Sequence, residues 1–234
     1  MHTINDKLDK VTARMSAAAQ AAGRPPESVQ LIAVSKTHPA EAIETAYHWG
    51  QRHFGENYLQ EALDKRAALS HLDNLQWHFI GPIQSNKSRQ IAENFDWVHT
   101  IDREKIARRL SDQRPDALPP LQVCLQVNID DEHSKSGVAL DELPALAQSV
   151  WSLPRLQLRG LMAIPAPSAD PERQRAAFAR LREALDLLNA GAPAALDTLS
   201  MGMSGDLEAA IAEGATLVRV GTDIFGPRMP KSTP

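Results

Sequence analysis

Residues 31–49, LIAVSKTHPAEAIETAYHW, decide how the rest of the chain is read. The run Leu31–Lys36 is apolar and partly β-branched, which predicts a buried strand. Pro39 then opens a helix that runs to Trp49, and Gly50 supplies its C-terminal stop. A strand followed at once by a helix is the unit of a parallel sheet, and the same unit recurs along the chain. Strand His53–Asn57 leads to helix Leu59–Ala68, strand Trp77–Gly81 to helix Ser88–Asn94, and strand Trp97–Ile101 to helix Arg103–Gln113. Strand Leu121–Ile129 precedes helix Asp141–Trp151, and strand Leu156–Ile164 precedes a long helix over Pro171–Leu188. Strand Leu199–Gly202 leads to helix Asp206–Glu213, and strand Leu217–Gly221 closes the series. Open doubly wound sheets have roughly five to seven strands, so this many strands predicts an α/β chain closed into a (β/α)₈ TIM barrel. A helix over Asn5–Ala22, ended by Gly23-Arg24-Pro25-Pro26, precedes the first strand and is expected to cover the barrel bottom. No linker or low-complexity stretch divides residues 1–234, which read as one domain. Trp49, Trp77, Trp97 and Trp151 are expected to pack between helices and sheet.

Composition removes several classes of function. The 234 residues carry 25 Lys and Arg against 29 Asp and Glu, a net charge of −4. Nucleic acids and anionic membranes select basic surfaces, so neither is an expected partner. A small anionic ligand needs only one local pocket. A chain of this length buries on the order of 70–75% of its unfolded surface and needs no staple. The one cysteine, Cys124, allows no internal disulfide and fits a reducing cytoplasm. No run approaches the ~18 apolar residues of a membrane span, and Met1–Met15 lacks the apolar core of a signal peptide. The eight histidines are scattered, and His48 and His53 miss the i, i+4 spacing of a helical zinc pair, so no metal is expected.

In a barrel the chemistry gathers at the carboxyl ends of the strands, with phosphate at the loops after strands seven and eight. Strand one ends in Val34-Ser35-Lys36. Lys36 reads either as a side chain snorkelling from the rim or as an amine that forms an imine with a carbonyl ligand. Strand seven ends in Ser200-Met201-Gly202-Met203-Ser204-Gly205-Asp206, and strand eight in Arg219-Val220-Gly221-Thr222. Serines, a threonine and glycines at these two rims suit a phosphate; Ser204 or Asp206 could equally cap the next helix. Arg219 shares the inward parity of Gly221 and reads as a ligand contact or as half of a buried ion pair. Two motifs fail. Asp206 stands where a G-x-S-x-G elbow requires glycine, and Asn86 stands where a P-loop beginning at Gly81 requires its second.

Taken together, Ala33-Val34-Ser35-Lys36-Thr37, Phe54-Gly55-Glu56-Asn57-Tyr58 and Trp77-His78-Phe79-Ile80-Gly81-Pro82 form a resemblance. So do Ser134-Lys135-Ser136-Gly137, Gly160-Leu161-Met162, Leu199 through Ser204, and Val218 through Thr222 with Ile224-Phe225-Gly226. The chain resembles, over nearly its whole length, the YggS/PROSC family of pyridoxal phosphate homeostasis proteins. That resemblance implies the barrel of the alanine racemase N-terminal domain and pyridoxal 5′-phosphate (PLP) carried on Lys36 as an internal aldimine. It implies a cofactor site of Lys36, Asn57, Met162, Ser200, Met201, Gly202, Ser204, Arg219, Gly221 and Thr222. Ser204, Gly202, Gly221 and Thr222 would hold the phosphate, Arg219 would face the pyridine nitrogen, and Met162 would pack against the ring. Asn57 and Asn128 are candidate hydrogen-bonders to the ring. His38 departs from the second lysine that many relatives carry, and Lys135 is a candidate for transient PLP uptake. The implied function is a cytoplasmic, monomeric holder of PLP that buffers the cofactor or delivers it to apo-enzymes, without catalysis. The alternatives are a PLP-dependent racemase or lyase, and a PLP-free barrel whose Lys36 forms an imine with a phosphorylated sugar. Racemisation needs acid–base groups on both faces of the ring. Of the two tyrosines, Tyr47 lies within a helix and only Tyr58 is near the mouth.

Overall fold

Helix α1 (Ile4–Ala21) precedes eight parallel strands that close into a barrel in chain order. They are β1 (Gln30–Val34), β2 (His53–Glu56), β3 (Gln76–Phe79), β4 (Trp97–Ile101), β5 (Leu121–Gln126), β6 (Leu156–Met162), β7 (Thr198–Ser200) and β8 (Leu217–Val220). Closure comes from β8 pairing back onto β1, with Ile32 opposite Arg219. Helices α2 (Ala40–Trp49), α3 (Leu59–Ala68), α4 (Ser88–Asn94), α5 (Glu104–Gln113), α6 (Leu143–Trp151), α7 (Pro171–Asn189) and α8 (Leu207–Ala212) follow the first seven strands. A single turn, α9 (Thr222–Phe225), follows the eighth. This computed structural model describes residues 3–130 and 136–227.

Strand parity sorts the side chains. Leu31, Ala33, Val218 and Val220 join the core between sheet and helices, together with Phe54, Trp77 and Phe79. Ile32, Val34 and Arg219 take the other face and fill the barrel. Gly55 shows how full it is, because an added Cβ would lie 3.0 Å from both Ile32 and Ile80. Gly50 ends α2 at φ 123°, a conformation in which an L side chain is strained. Several strands end earlier than the sequence predicts: β1 stops at Val34, β5 at Gln126 and β6 at Met162. At β1 the chain leaves the sheet in a turn that begins at Ser35, whose carbonyl accepts from the His38 N–H, with Thr37 inside it at φ 65°.

Two placements differ from expectation. Helix α1 does not cover the barrel bottom; it lies in the ring of helices against α8, α9 and α2. The one-turn α9 leaves a gap there, and Leu8, Val11, Met15 and Ala19 form a buried stripe along α1 that fills it. Burying a side chain of leucine or methionine size contributes about 1.5–3 kcal/mol, enough to hold the helix in that slot. Trp97 is the second. It shares the parity of His99 and stacks on His78, with ring centroids 5.4 Å apart and planes 15° from parallel. The guanidinium of Arg159 lies 5.0 Å from the Trp97 ring centroid.

Candidate functional site

The residues flanking Lys36 are pinned from behind. Ser35 donates its hydroxyl to Glu56 Oε1 at 2.6 Å, and Lys65 Nζ donates to the Ser35 carbonyl at 2.8 Å. Lys65 also bridges Glu56 at 2.8 Å and Glu61 at 2.5 Å, and Glu61 accepts the Thr37 N–H. Glu56 is fully buried and Lys65 nearly so. Three charged groups on β2 and α3 thus fix the backbone on both sides of Lys36, which is itself half-buried.

In front of this brace lies a cavity of ≈ 290 Å³, lined by Lys36, Asn57, Ser204, Arg219, Gly221 and Thr222 among others. These predicted site residues come together from β1, β2, β8 and the loop after β7. The volume is at the lower end for small-ligand sites. Gly221 lets β8 approach β1, since an added Cβ would lie 3.1 Å from the Val34 carbonyl oxygen. Gly81, the first glycine of the rejected P-loop reading, packs flat against Asn57, and a Cβ there would overlap the Asn57 carbonyl. The loop after β7 is tied to α1. Arg14 donates to the Ser204 carbonyl at 3.0 Å and pairs with Glu208 at 2.8 Å and Asp223 at 2.9 Å.

The other predicted residues lie beneath or behind the cavity. Met162 and Ser200 are fully buried. Met201 turns into the core between sheet and helices. Gly202 has φ 97°, and an added Cβ would lie 2.6 Å from Ala210 Cβ, so this glycine admits α8 to the sheet. Asn128 is half-buried and pairs its backbone N–H with Val138. Lys135 lies outside the described residues. His38 lines the cavity, with burial lowering its pKa below the usual imidazole value and Lys65 adding to the effect.

Arg219 is the main electrostatic feature of this site. It is 4% exposed, and among the described residues no carboxylate lies within 4 Å of it, which removes the ion-pair reading. Its guanidinium donates to Ser200 Oγ at 2.6 Å and to the Ala163 carbonyl at 3.1 Å. Burial pushes its pKa down to about 10, so it remains a cation at neutral pH. Asn57 Oδ1, also at the cavity wall, is buried without a hydrogen-bond partner. An electron-rich ligand with one donor group would satisfy both, and the hydroxyls of Ser204 and Thr222 face the same space. The residues present fit PLP.

The alanine racemase N-terminal domain family matches residues 7–229. A pyridoxal phosphate homeostasis protein of Pseudomonas aeruginosa is 64% identical over 228 residues, which are 97% of each chain. The chain belongs to the pyridoxal phosphate homeostasis protein family. PipY of Synechococcus elongatus PCC7942, whose structure has PLP bound, is 42% identical with a TM-score of 0.85, over 96% of this chain and 100% of PipY. Alanine racemase of Corynebacterium glutamicum, at 19% identity, shares the fold with a TM-score of 0.68 over 97% of this chain and 63% of its own. In this member of the family the sequence reading missed the Lys65 brace, because a Glu and a Lys spaced i, i+4 on a helix carry no sign of what lies beside them. It also missed that His53, His78 and His99 stand on three adjacent strands. Among the described residues no helix is long and apolar enough to cross a membrane, and no group of three or more His, Cys, Asp or Glu side chains is arranged to hold a metal ion.

Proposed function

We propose that this chain binds PLP at the barrel mouth, with Lys36 as the anchoring amine, and holds or delivers it without turning over a substrate. The convergence of Lys36, Arg219, Asn57, Ser204 and Thr222 on one cavity carries this reading. When bound, PLP supplies an aldehyde carbon that takes up a primary amine. The hydroxyls of Ser204 and Thr222 are donors for phosphate oxygens, and Gly205 and Gly221 leave room for the group beside them. The Asn57 carboxamide would accept from a ring hydroxyl through the orphaned Oδ1. Arg219 can only donate, so it would hold a ring nitrogen facing it in the unprotonated form. That form withdraws electrons poorly and works against carbanion chemistry. Met162 and Ser200 support the floor, Ser200 through Arg219.

The family's name and the PLP in PipY support the reading. Delivery to apo-enzymes, as a cytoplasmic monomer, completes it. The single cysteine agrees with that location, since it allows no internal disulfide. The test is to add PLP to the purified chain, record its absorption, reduce with borohydride and map the peptides. We expect one pyridoxyl group on the peptide bearing Lys36 and no chromophore in Lys36→Ala. Label spread evenly over Lys87 and other surface lysines would overturn the proposal.

A further inference from the structure

Below the cavity a chain of hydrogen bonds crosses the barrel. His53 Nδ1 meets His78 Nε2 at 2.9 Å, His78 Nδ1 meets His99 Nε2 at 2.8 Å, and His99 Nδ1 meets Ser200 Oγ at 2.7 Å. Ser200 Oγ is the atom to which Arg219 donates. His78, His99 and Ser200 are fully buried, and His53 is half-exposed at the start of β2.

The tautomers follow from counting hydrogens. A guanidinium has no acceptor, so Ser200 Oγ must accept from Arg219. The Ser200 hydroxyl hydrogen then has one acceptor within reach, His99 Nδ1. Leaving a buried hydroxyl unsatisfied would cost about 1–3 kcal/mol. With Nδ1 accepting, neutral His99 carries its hydrogen on Nε2 and donates to His78 Nδ1. His78 in turn donates from Nε2 to His53 Nδ1. Each contact holds one hydrogen, and all of them point from the mouth toward the base. A cationic imidazole at His99 would take away the one acceptor of the Ser200 hydroxyl hydrogen, and one at His78 would either turn His99 to the same effect or set two hydrogens in one contact. Burial opposes that charge at both residues, and the cation of Arg219 opposes it further at His99.

We propose that His53, His78 and His99 are positioning residues, a one-directional relay of neutral imidazoles that fixes Ser200 as an acceptor and so aims Arg219 at the ligand. A carboxylate in place of Ser200 would aim the guanidinium equally well but would neutralise it. A neutral acceptor, itself oriented by three rings in series, holds the cation in place and leaves its charge for the cavity. Trp97, stacked on His78, keeps the second ring of the series from tilting. The proposal rests on the reading that Arg219 meets the ring nitrogen of PLP.

Two measurements test it. Long-range ¹H–¹⁵N NMR of the ¹⁵N-histidine-labelled full chain, without ligand at pH 7, should show neutral Nε2–H tautomers at both His78 and His99. An Nδ1–H tautomer or a cation at either residue would overturn the relay whether or not PLP binds. The second measurement uses His99→Gln and His99→Leu loaded with PLP. Glutamine offers an oxygen to Ser200 and an N–H to His78, so it preserves the direction, whereas leucine breaks it. We expect His99→Leu to bind PLP about tenfold more weakly than wild type, a loss of ~1.4 kcal/mol, with a shifted absorption maximum. His99→Gln should restore both. The pair His78→Gln and His78→Leu repeats the comparison one ring further down, should His99→Leu fail to fold. Equal affinity and equal spectra within both pairs would overturn the positioning role. Failure of the wild-type chain to take up PLP would instead overturn the cofactor reading and leave the NMR result standing.

Discussion

His78 and His99 are fully buried, and burial holds both well below the usual imidazole range. In the unfolded chain the same residues titrate near 6.5. As the pH falls below that value the unfolded state takes up protons that the folded state refuses, so stability present in full above it is progressively lost. The loss is roughly 1 kcal/mol per histidine between pH 6.5 and about 5.5. Denaturant unfolding at pH 6.5 and pH 5.5 should show the wild type losing roughly 2 kcal/mol more than the His78→Gln/His99→Gln double variant. Equal losses would mean that the two rings are not buried neutral groups. Residues differ in how far they can be read in advance. That Lys36, Ser204, Arg219 and Thr222 would gather at one mouth was legible, because a barrel puts strand ends there and parity turns Arg219 inward. His78 and His99 were not, since a histidine inside a strand carries no sign of its partners. Only the register of neighbouring strands, with His53 at the start of β2 and His78 opposite the start of β4, brings them together.

At the scale of elements, the sequence located nearly every helix and strand within a few residues, because apolar periodicity and the glycine and proline stops are local signals. It did not show which slot α1 would occupy. That depends on α9 being a single turn, and no property of α1 reports it. The brace between β2 and α3 was hidden for a related reason: an i, i+4 pair looks alike whether a sheet or water lies beside it. Its energetics are nonetheless distinctive. Removing one partner of a buried ion pair leaves the other charge uncompensated, at a cost of about 3–5 kcal/mol. Lys65→Met should therefore destabilise the chain by about that amount in urea unfolding, by stranding Glu56. Adding Glu56→Leu to Lys65→Met should recover part of the loss. A cost under about 1 kcal/mol for the single variant would place Lys65 at the surface instead.

For the whole molecule, the site exists only when the barrel is closed. Lys36 comes from the first βα unit, while Ser204, Arg219 and Thr222 come from the last two. A ligand that needs all of them binds the folded state alone, and at 100 times its dissociation constant it adds about 2.7 kcal/mol. For a chain of this size that raises the melting temperature by about 5–11 °C. Calorimetry with saturating PLP should show the rise, and Ser204→Ala should shrink it. An unchanged melting temperature would contradict a preformed site. The staple made by Arg14 bears on how the molecule is born. It joins α1 to groups 190, 194 and 209 positions downstream. On the ribosome the first helix emerges early and must wait, apolar stripe uncovered, for α8 and α9 to be synthesised. β1 waits in the same way for β8. Contacts this distant in sequence form slowly, because a long loop must close before they stabilise anything. A nascent chain stopped short of β7 already displays Lys36 but has no cradle for a phosphate, so cofactor can rescue only chains whose synthesis has passed β8.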